Sequence, residues 1–181
     1  MGKVDISLKS SYNAISLPFK ENEYSIDTII GEQLQEGDQI HYWNDKAQAY
    51  SLLTKLKQWP GYTFKFVEGF YVYLVGKDRN EKLTLVGEVG GFPAGFTWAL
   101  GKEYNLIGYP YPKTITALAS GLAPSEGDQI HRWDWASQGF VLTTYVNSAW
   151  KNPAVTQLNL GEGKFYYIPK DGNAYNWELK F

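Results

Sequence analysis

Short runs rich in β-branched, aromatic and aliphatic residues, each cut off by Gly, Asp, Asn or Pro, recur along the whole chain. Runs of that make-up fit a pleated strand, in which successive side chains point to opposite faces. In the first half they are Ser51-Leu52-Leu53-Thr54-Lys55-Leu56, Phe64-Lys65-Phe66-Val67, Tyr71-Val72-Tyr73-Leu74-Val75 and Leu83-Thr84-Leu85-Val86. Their counterparts in the second half are Val141-Leu142-Thr143-Thr144-Tyr145-Val146, Gln157-Leu158-Asn159-Leu160, Phe165-Tyr166-Tyr167-Ile168 and Tyr175-Asn176-Trp177-Glu178-Leu179. With the flanking segments, each half supplies about six strands. One short helix or helical turn per half is expected before the central motif. Ser25 is placed to cap Ile26 to Ile30, and Thr114 or Thr116 to cap a stretch ending near Gly121.

That motif occurs twice. Gly37-Asp38-Gln39-Ile40-His41-Tyr42-Trp43 returns as Gly127-Asp128-Gln129-Ile130-His131-Arg132-Trp133, identical at six of seven places. Upstream, Tyr12-Asn13-Ala14-Ile15-Ser16-Leu17-Pro18-Phe19 matches Tyr104-Asn105-Leu106-Ile107-Gly108-Tyr109-Pro110-Tyr111. Downstream, Gln48 and Tyr50 match Gln138 and Phe140, Trp59 matches Trp150, and Glu68-Gly69-Phe70-Tyr71-Val72-Tyr73 matches Glu162-Gly163-Lys164-Phe165-Tyr166-Tyr167 more loosely. The offset drifts from 92 to 90 to 94 residues, as loop insertions and deletions produce.

The fold class expected is therefore all-β: two pseudo-symmetric sandwich or barrel-like units from an internal duplication, each with at most one short helix. The breaker-rich segment Gly90-Gly91-Phe92-Pro93-Ala94-Gly95 reads as a linker at 90–95, between units 1–89 and 96–181. Within the motif, Gly37 and Gly127 permit a positive-φ turn, and Asp38 and Asp128 can close an Asx turn on the backbone of the next residues. Asp134 to Phe140 reads as a hairpin loop with Gly139 available for a left-handed position, although Ala49 stands there in the first copy.

Composition narrows the function classes. Seven Trp, fourteen Tyr and nine Phe in 181 residues exceed what a core of this size needs, so some rings are expected at the surface or between units. Trp43, Trp133, Trp59 and Trp150 are the expected core or inter-unit anchors. A net charge of -2 with no basic run gives no footprint for nucleic acid. No stretch approaches the ~20 apolar residues of a membrane helix, and no segment reads as a signal peptide. The absence of Cys excludes disulfides and thiolate chemistry.

His41 and His131, the two histidines present, admit two readings. Both could be metal ligands or acid-base groups brought together near a pseudo-twofold axis with Asp38 and Asp128, or each could be bonded within its own unit. In an extended strand Asp38 and His41 face opposite ways, which argues against a dyad within one copy. No nucleophile elbow, phosphate loop or zinc-protease helix is present. Glu68 and Glu162 sit at matching positions beside Gly and read as turn acids. No catalytic, cofactor-binding or metal residue is singled out.

The order Tyr104-Asn105-Leu106-Ile107-Gly108-Tyr109-Pro110, Gly127-Asp128-Gln129-Ile130 with Trp133-Asp134, Gln138-Gly139-Phe140, Trp150, and Leu160-Gly161-Glu162-Gly163 with Phe165-Tyr166 resembles a repeat of exported or surface-associated bacterial proteins. The first half resembles it too, including its Leu83-Thr84-Leu85-Val86-Gly87-Glu88-Val89 ending. The resemblance implies an extracellular or cell-surface β-rich module and carries no activity. The expected function is a non-enzymatic structural or adhesive module without a cofactor. The alternatives are carbohydrate binding through exposed Trp135, Tyr109, Tyr111, Trp98 and Trp177, and self-assembly. Partners on this reading are a polysaccharide, another surface protein or a second copy. Trp135 leads the candidates because it sits on a hairpin tip opposite Asp45 of the first copy, where an exposed ring usually contacts something.

Overall fold

The computed structural model describes residues 2–19, 23–89 and 95–180. The first half supplies β1 (Gly2–Lys9), β2 (Ser11–Ser16), β3 (Glu23–Ser25), β4 (Gln39–Asn44), β5 (Ala49–Thr54), β6 (Thr63–Lys65), β7 (Gly69–Leu74) and β8 (Asn80–Gly87). The second supplies β9 (Thr97–Leu100), β10 (Glu103–Gly108), β11 (Ile115–Thr116), β12 (Gln129–Asp134), β13 (Gly139–Val146), β14 (Ala149–Trp150), β15 (Gln157–Leu158), β16 (Gly163–Ile168) and β17 (Tyr175–Glu178). A single α-helix among the described residues, α1 (Ile26–Ile29), comes directly after Ser25, which stands at the N-cap position but makes no side-chain capping hydrogen bond, contrary to expectation.

The larger sheets have the strand orders β2-β7-β4-β5 and β10-β16-β12-β13-β14. Their registers coincide at the offsets of the sequence repeat: Tyr12 pairs with Tyr73 and Tyr104 with Tyr167, while His41 pairs with Leu52 and His131 with Leu142. The two-stranded sheets match as well, β1-β8 with β9-β17 and β3-β6 with β11-β15. Every sheet ends in open edges, so none closes into a barrel, and the barrel-like form of the expectation gives way to open sheets packed on one another.

Period-two alternation explains the packing. In β4, Ile40 lies on the face that builds the main core, while His41 and Trp43 lie on the other face. The main core joins Leu8, Ile15, Ile40 and Phe70 of the first half to Tyr109, Ile130, Tyr166 and Trp177 of the second in one cluster. A smaller cluster of Tyr71, Leu106 and Phe165, with Tyr12, Trp43, Tyr104 and Trp133 against it, lies where the opposite sheet faces meet.

Three local expectations change. After Thr114 the expected helix or helical turn is reduced to the turn: Ser120 N–H donates to Thr116 O at 2.9 Å and Gly121 at φ +97° ends it, while Ala117 N–H is taken by Thr156 O. The motif aspartates accept hydrogen bonds from upstream, Asp38 from Gln35 N–H at 2.9 Å and Asp128 from Ser125 N–H at 3.0 Å, instead of closing a turn on the downstream backbone. The left-handed hairpin residues are Gln48 (φ 49°) and Gln138 (φ 48°), so neither Gly139 nor Ala49 needs positive φ. Of the expected linker, Gly95 alone is among the described residues; Gly90 to Ala94 lie outside them.

Candidate functional site

The glutamines at these left-handed positions reach across to the other half of the chain. Gln48 accepts from Tyr104 N–H at 2.9 Å and donates to Tyr104 O at 3.1 Å, and Gln138 accepts from Tyr12 N–H at 3.2 Å. The motif tryptophans do the same, with Trp43 Nε1–H donating to Tyr104 O at 2.8 Å and Trp133 Nε1–H to Tyr12 O at 2.9 Å. At the seam, Gly108 N–H donates to Val67 O at 2.7 Å and Ser16 N–H to Gly161 O at 2.9 Å. Backbones approach closely there: a Cβ on Gly163 would stand 2.6 Å from Ile15 O, and one on Gly69 3.2 Å from Ile107 O. Apart from the Gln48 Nε2–H bond to Tyr104 O, these contacts recur at equivalent residues of the two halves, the self-complementary pattern of a twofold interface.

Behind these contacts, Asn13 and Asn105 fix the strands that carry Tyr12 and Tyr104. Asn13 Nδ2 donates to Lys9 O at 2.7 Å and Val72 O at 3.3 Å, and Asn105 Nδ2 donates to Gly101 O at 2.8 Å and Tyr166 O at 3.3 Å. Buried amides bonded on several sides hold one geometry and leave little room for another.

Between the sheets lies a cavity of about 210 Å³, lined by Tyr12, His41, Tyr50 and Tyr71 of the first half and Trp133 and Phe140 of the second. Its rings meet edge to face: Tyr71 and Trp133 at 5.6 Å and 87°, Tyr50 and Tyr71 at 5.8 Å and 82°, Trp133 and Phe140 at 5.0 Å and 75°. This is the favoured arrangement of aromatic quadrupoles. Tyr50 is 46% exposed and Phe140 44%, with Leu52 and Leu142 also exposed one pleat further along β5 and β13, so the cavity opens beside an apolar collar.

Tyr71 carries the site's polar anomaly. It is 3% exposed and its hydroxyl has no hydrogen-bond partner among the described residues. The neighbouring Tyr50 hydroxyl is the group nearest to pairing with it: a side-chain hydrogen-bond interaction between the two shifts both pKa values, although it falls short of full hydrogen-bonding geometry. Burial, and then the Tyr50 hydroxyl, push the Tyr71 pKa up. Burial also pushes Tyr50 up to about 12, so both hydroxyls stay protonated at neutral pH.

The five sequence candidates are not gathered here. Tyr109 and Trp177 are fully buried, with Tyr109 Oη–H donating to Lys180 O at 2.6 Å and Trp177 Nε1–H to Ser120 O at 2.9 Å. Trp98 pairs directly with Trp177 between β9 and β17, and Tyr111 packs on the main core near Tyr109. Trp135 is 41% exposed, but its Nε1–H donates to Ser10 O at 3.0 Å and Lys9 Nζ lies 4.5 Å from its ring centroid, so it spans the two halves. Trp59 and Trp150 are buried, whereas Trp43 and Trp133 are half-buried between the sheets.

Each histidine bonds within its own half. His41 Nε2 lies 3.0 Å from Gln39 Oε1 and His131 Nε2 lies 2.8 Å from Gln129 Oε1, and burial lowers both pKa values. Among the described residues, no group of three or more His, Asp or Glu is placed to hold a metal ion. Glu68 accepts from Lys65 N–H at 3.0 Å, and Glu162 from Asn159 Nδ2–H at 2.6 Å while pairing with Lys164 at 3.3 Å. Burial raises the Glu68 pKa, but the crevice beside it has a volume of about 10 Å³, room for no more than a water. No helix among the described residues is long and apolar enough to cross a membrane.

In the sequence Tyr50 matches Phe140 and Tyr71 matches Phe165 across the repeat, and neither pair stands out as a site. The signal present was the gain of a hydroxyl at both first-half positions. No protein-family model matches the chain, and comparison with curated proteins and with solved structures gives no significant match.

Proposed function

We propose that the chain is a non-catalytic binding module built from two duplicated β units, and that the aromatic cavity between its larger sheets is the binding site. The observation that carries this reading is the cavity itself: about 210 Å³, walled by six rings drawn from both halves and bordered by exposed apolar residues. Concave apolar sites with a few polar groups are where small molecules bind. The matched strand orders, registers and reciprocal seam contacts support the duplication and the two-unit division. Resemblance of the repeat to those of surface-associated bacterial proteins supports an extracellular setting.

Carbohydrate is the weaker ligand class for this cavity. Sugars stack well on Trp and Tyr, but their hydroxyls need carboxylates, amides or guanidinium groups in reach, and none of the described residues that line it supplies one. Adhesion to a surface protein or a second copy is favoured by one feature, the exposed Tyr50, Leu52, Phe140 and Leu142 at the cavity mouth.

Tryptophan fluorescence tests the proposal, because Trp133 lines the cavity. Neutral aromatic compounds and soluble polysaccharides would be titrated into the wild type and into Phe140→Ala, a half-exposed position where truncation spares the core. Saturable quenching that the substitution weakens at least tenfold is the expected result. Equal responses from both proteins, or no response to any compound, would remove the cavity as the site.

A further inference from the structure

We infer that the cavity takes one uncharged, planar compound of one or two rings bearing a hydrogen-bonding oxygen or nitrogen, with Tyr71 and Tyr50 as the residues that select that polar atom. The inference rests on the reading of the cavity as a binding site and adds size, charge, polarity and stoichiometry to it.

Size comes first. A cavity of about 210 Å³ is larger than the ~150 Å³ that holds benzene and smaller than the ~300 Å³ at which drug-sized sites begin. That leaves room for one ring with substituents or two fused rings. Edge-to-face ring walls offer both π faces and positive edges, so a flat aromatic guest completes the pattern already present.

Charge is set by the lining. Among the described residues it contains no Lys, Arg, Asp or Glu, and its one ionisable base, His41, is held toward the neutral form by burial. A charged guest would shed its hydration with no counter-ion in return.

The polar requirement comes from the Tyr71 hydroxyl. Beside it stands only the Tyr50 hydroxyl, short of full hydrogen-bonding geometry, and leaving a buried hydroxyl so poorly satisfied is unfavourable and in native proteins calls for a reason. The second half keeps the same backbone with Phe165 at the matching position and Phe140 in place of Tyr50, so the fold does not require either hydroxyl. A guest that accepts a hydrogen bond from Tyr71 satisfies it. The Phe165 side is also drawn in more tightly. Phe165 lies 5.0 Å from Trp43 and 5.5 Å from Tyr104, where Tyr71 lies 5.6 Å from Trp133 and 6.4 Å from Tyr12. One guest per chain, on the Tyr71 side, is the consequence.

Calorimetric titration of the full chain with 4-methylphenol, toluene, benzoate and glucose tests this, in the wild type and in Tyr71→Phe, Tyr50→Phe and Phe140→Ala. The expected result is one 4-methylphenol per chain, bound at least tenfold more tightly than toluene, with benzoate and glucose weaker still. Tyr71→Phe then brings 4-methylphenol down to the affinity of toluene and leaves toluene unchanged, which a general loss of structure would not do. Equal wild-type affinities for 4-methylphenol and toluene, or a preference that survives Tyr71→Phe, would overturn the role of the hydroxyl. Tighter binding of glucose or benzoate, lost in Phe140→Ala, would overturn the ligand class while keeping the cavity as a site. Silence from every probe would overturn both.

Discussion

The Tyr71 and Phe165 walls of the inter-sheet cleft share a backbone and differ in chemistry. Tyr71 and Phe165 sit at the same register in β7 and β16, flanked by His41 and His131 and crossed by Trp133 and Trp43. What the halves hold in common, Asn13 with Asn105, Gln48 with Gln138 and Trp43 with Trp133, ties side chain to backbone across or beside the seam. Among the positions where they differ are side chains that face the cleft, Tyr71 and Tyr50 against Phe165 and Phe140, and the partners of a buried carboxylate. The shared positions therefore hold the frame, and the divergent ones are free to carry function or a different local solution.

The motif aspartates show the same divergence inside the core. Asp38 is fully buried and faces Arg79, whose Nη1 and Nη2 reach its two carboxylate oxygens, with Val75 N–H donating at 3.0 Å. Asp128, equally buried, has no arginine bonded to it among the described residues. Tyr166 Oη–H donates to it at 2.6 Å, Tyr175 Oη–H donates to Tyr166 at 2.9 Å, and Asp128 Oδ1 has no partner among the described residues. The largest expected effect lies here. Arg79→Met strands a buried carboxylate and should cost about 3–5 kcal/mol, whereas Tyr166→Phe removes one hydrogen bond to a charged group and should cost about 2 kcal/mol. Urea midpoints of the two variants check this, and equal losses would mean that the tyrosine pair compensates the charge as well as the arginine does.

A second prediction sharpens the likeness. Trp43→Ala and Trp133→Ala each remove a half-buried ring and an indole donor to a carbonyl of the other half. Each should cost about 2–3 kcal/mol, less than the upper end for a fully buried Trp. The seam is symmetric in energy as well as geometry only if the two costs agree within about 0.5 kcal/mol, close to the scatter with which independent substitutions add. A neutral Trp43→Ala beside a costly Trp133→Ala would show that one half carries the interface.

Much of this architecture was legible in the residues. Strand runs such as Phe165 to Ile168 are recognisable because β-branched and aromatic residues bounded by breakers report a pleated surface directly, and β16 covers that run. Its partner β7 begins two residues before the run that starts at Tyr71, because Gly69 pairs with Ser16 although it has no side chain to signal a strand. After Thr114 the element stays a single helical turn for a tertiary reason: Thr116 does cap Ala119, with its Oγ1 3.3 Å from Ala119 N, but Thr156 O holds the Ala117 N–H. The cavity was not legible. It depends on contacts such as Tyr12 with Gln138 and Tyr71 with Trp133, far apart in sequence, and composition alone does not separate the buried Tyr109 and Trp177 from rings that line a cleft.

The smallest expected effect bears most directly on the comparison of the two walls. Tyr71→Phe gives the first half the residue of the second and deletes a buried hydroxyl that its neighbour Tyr50 does not meet in full hydrogen-bonding geometry, so the unliganded protein should gain about 1 kcal/mol. Phe165→Tyr does the reverse and places a hydroxyl where the rings stand closer, so it should lose about 1–3 kcal/mol through desolvation and crowding. Thermal midpoints of the two variants and the wild type, measured without added compounds, read both signs. A Tyr71→Phe variant less stable than the wild type would mean that the hydroxyl is bonded in solution and belongs to the frame. A gain there, together with a loss at Phe165→Tyr, is what a site retained at the expense of stability predicts, since groups poised for a ligand are commonly ones that the empty fold would be more stable without.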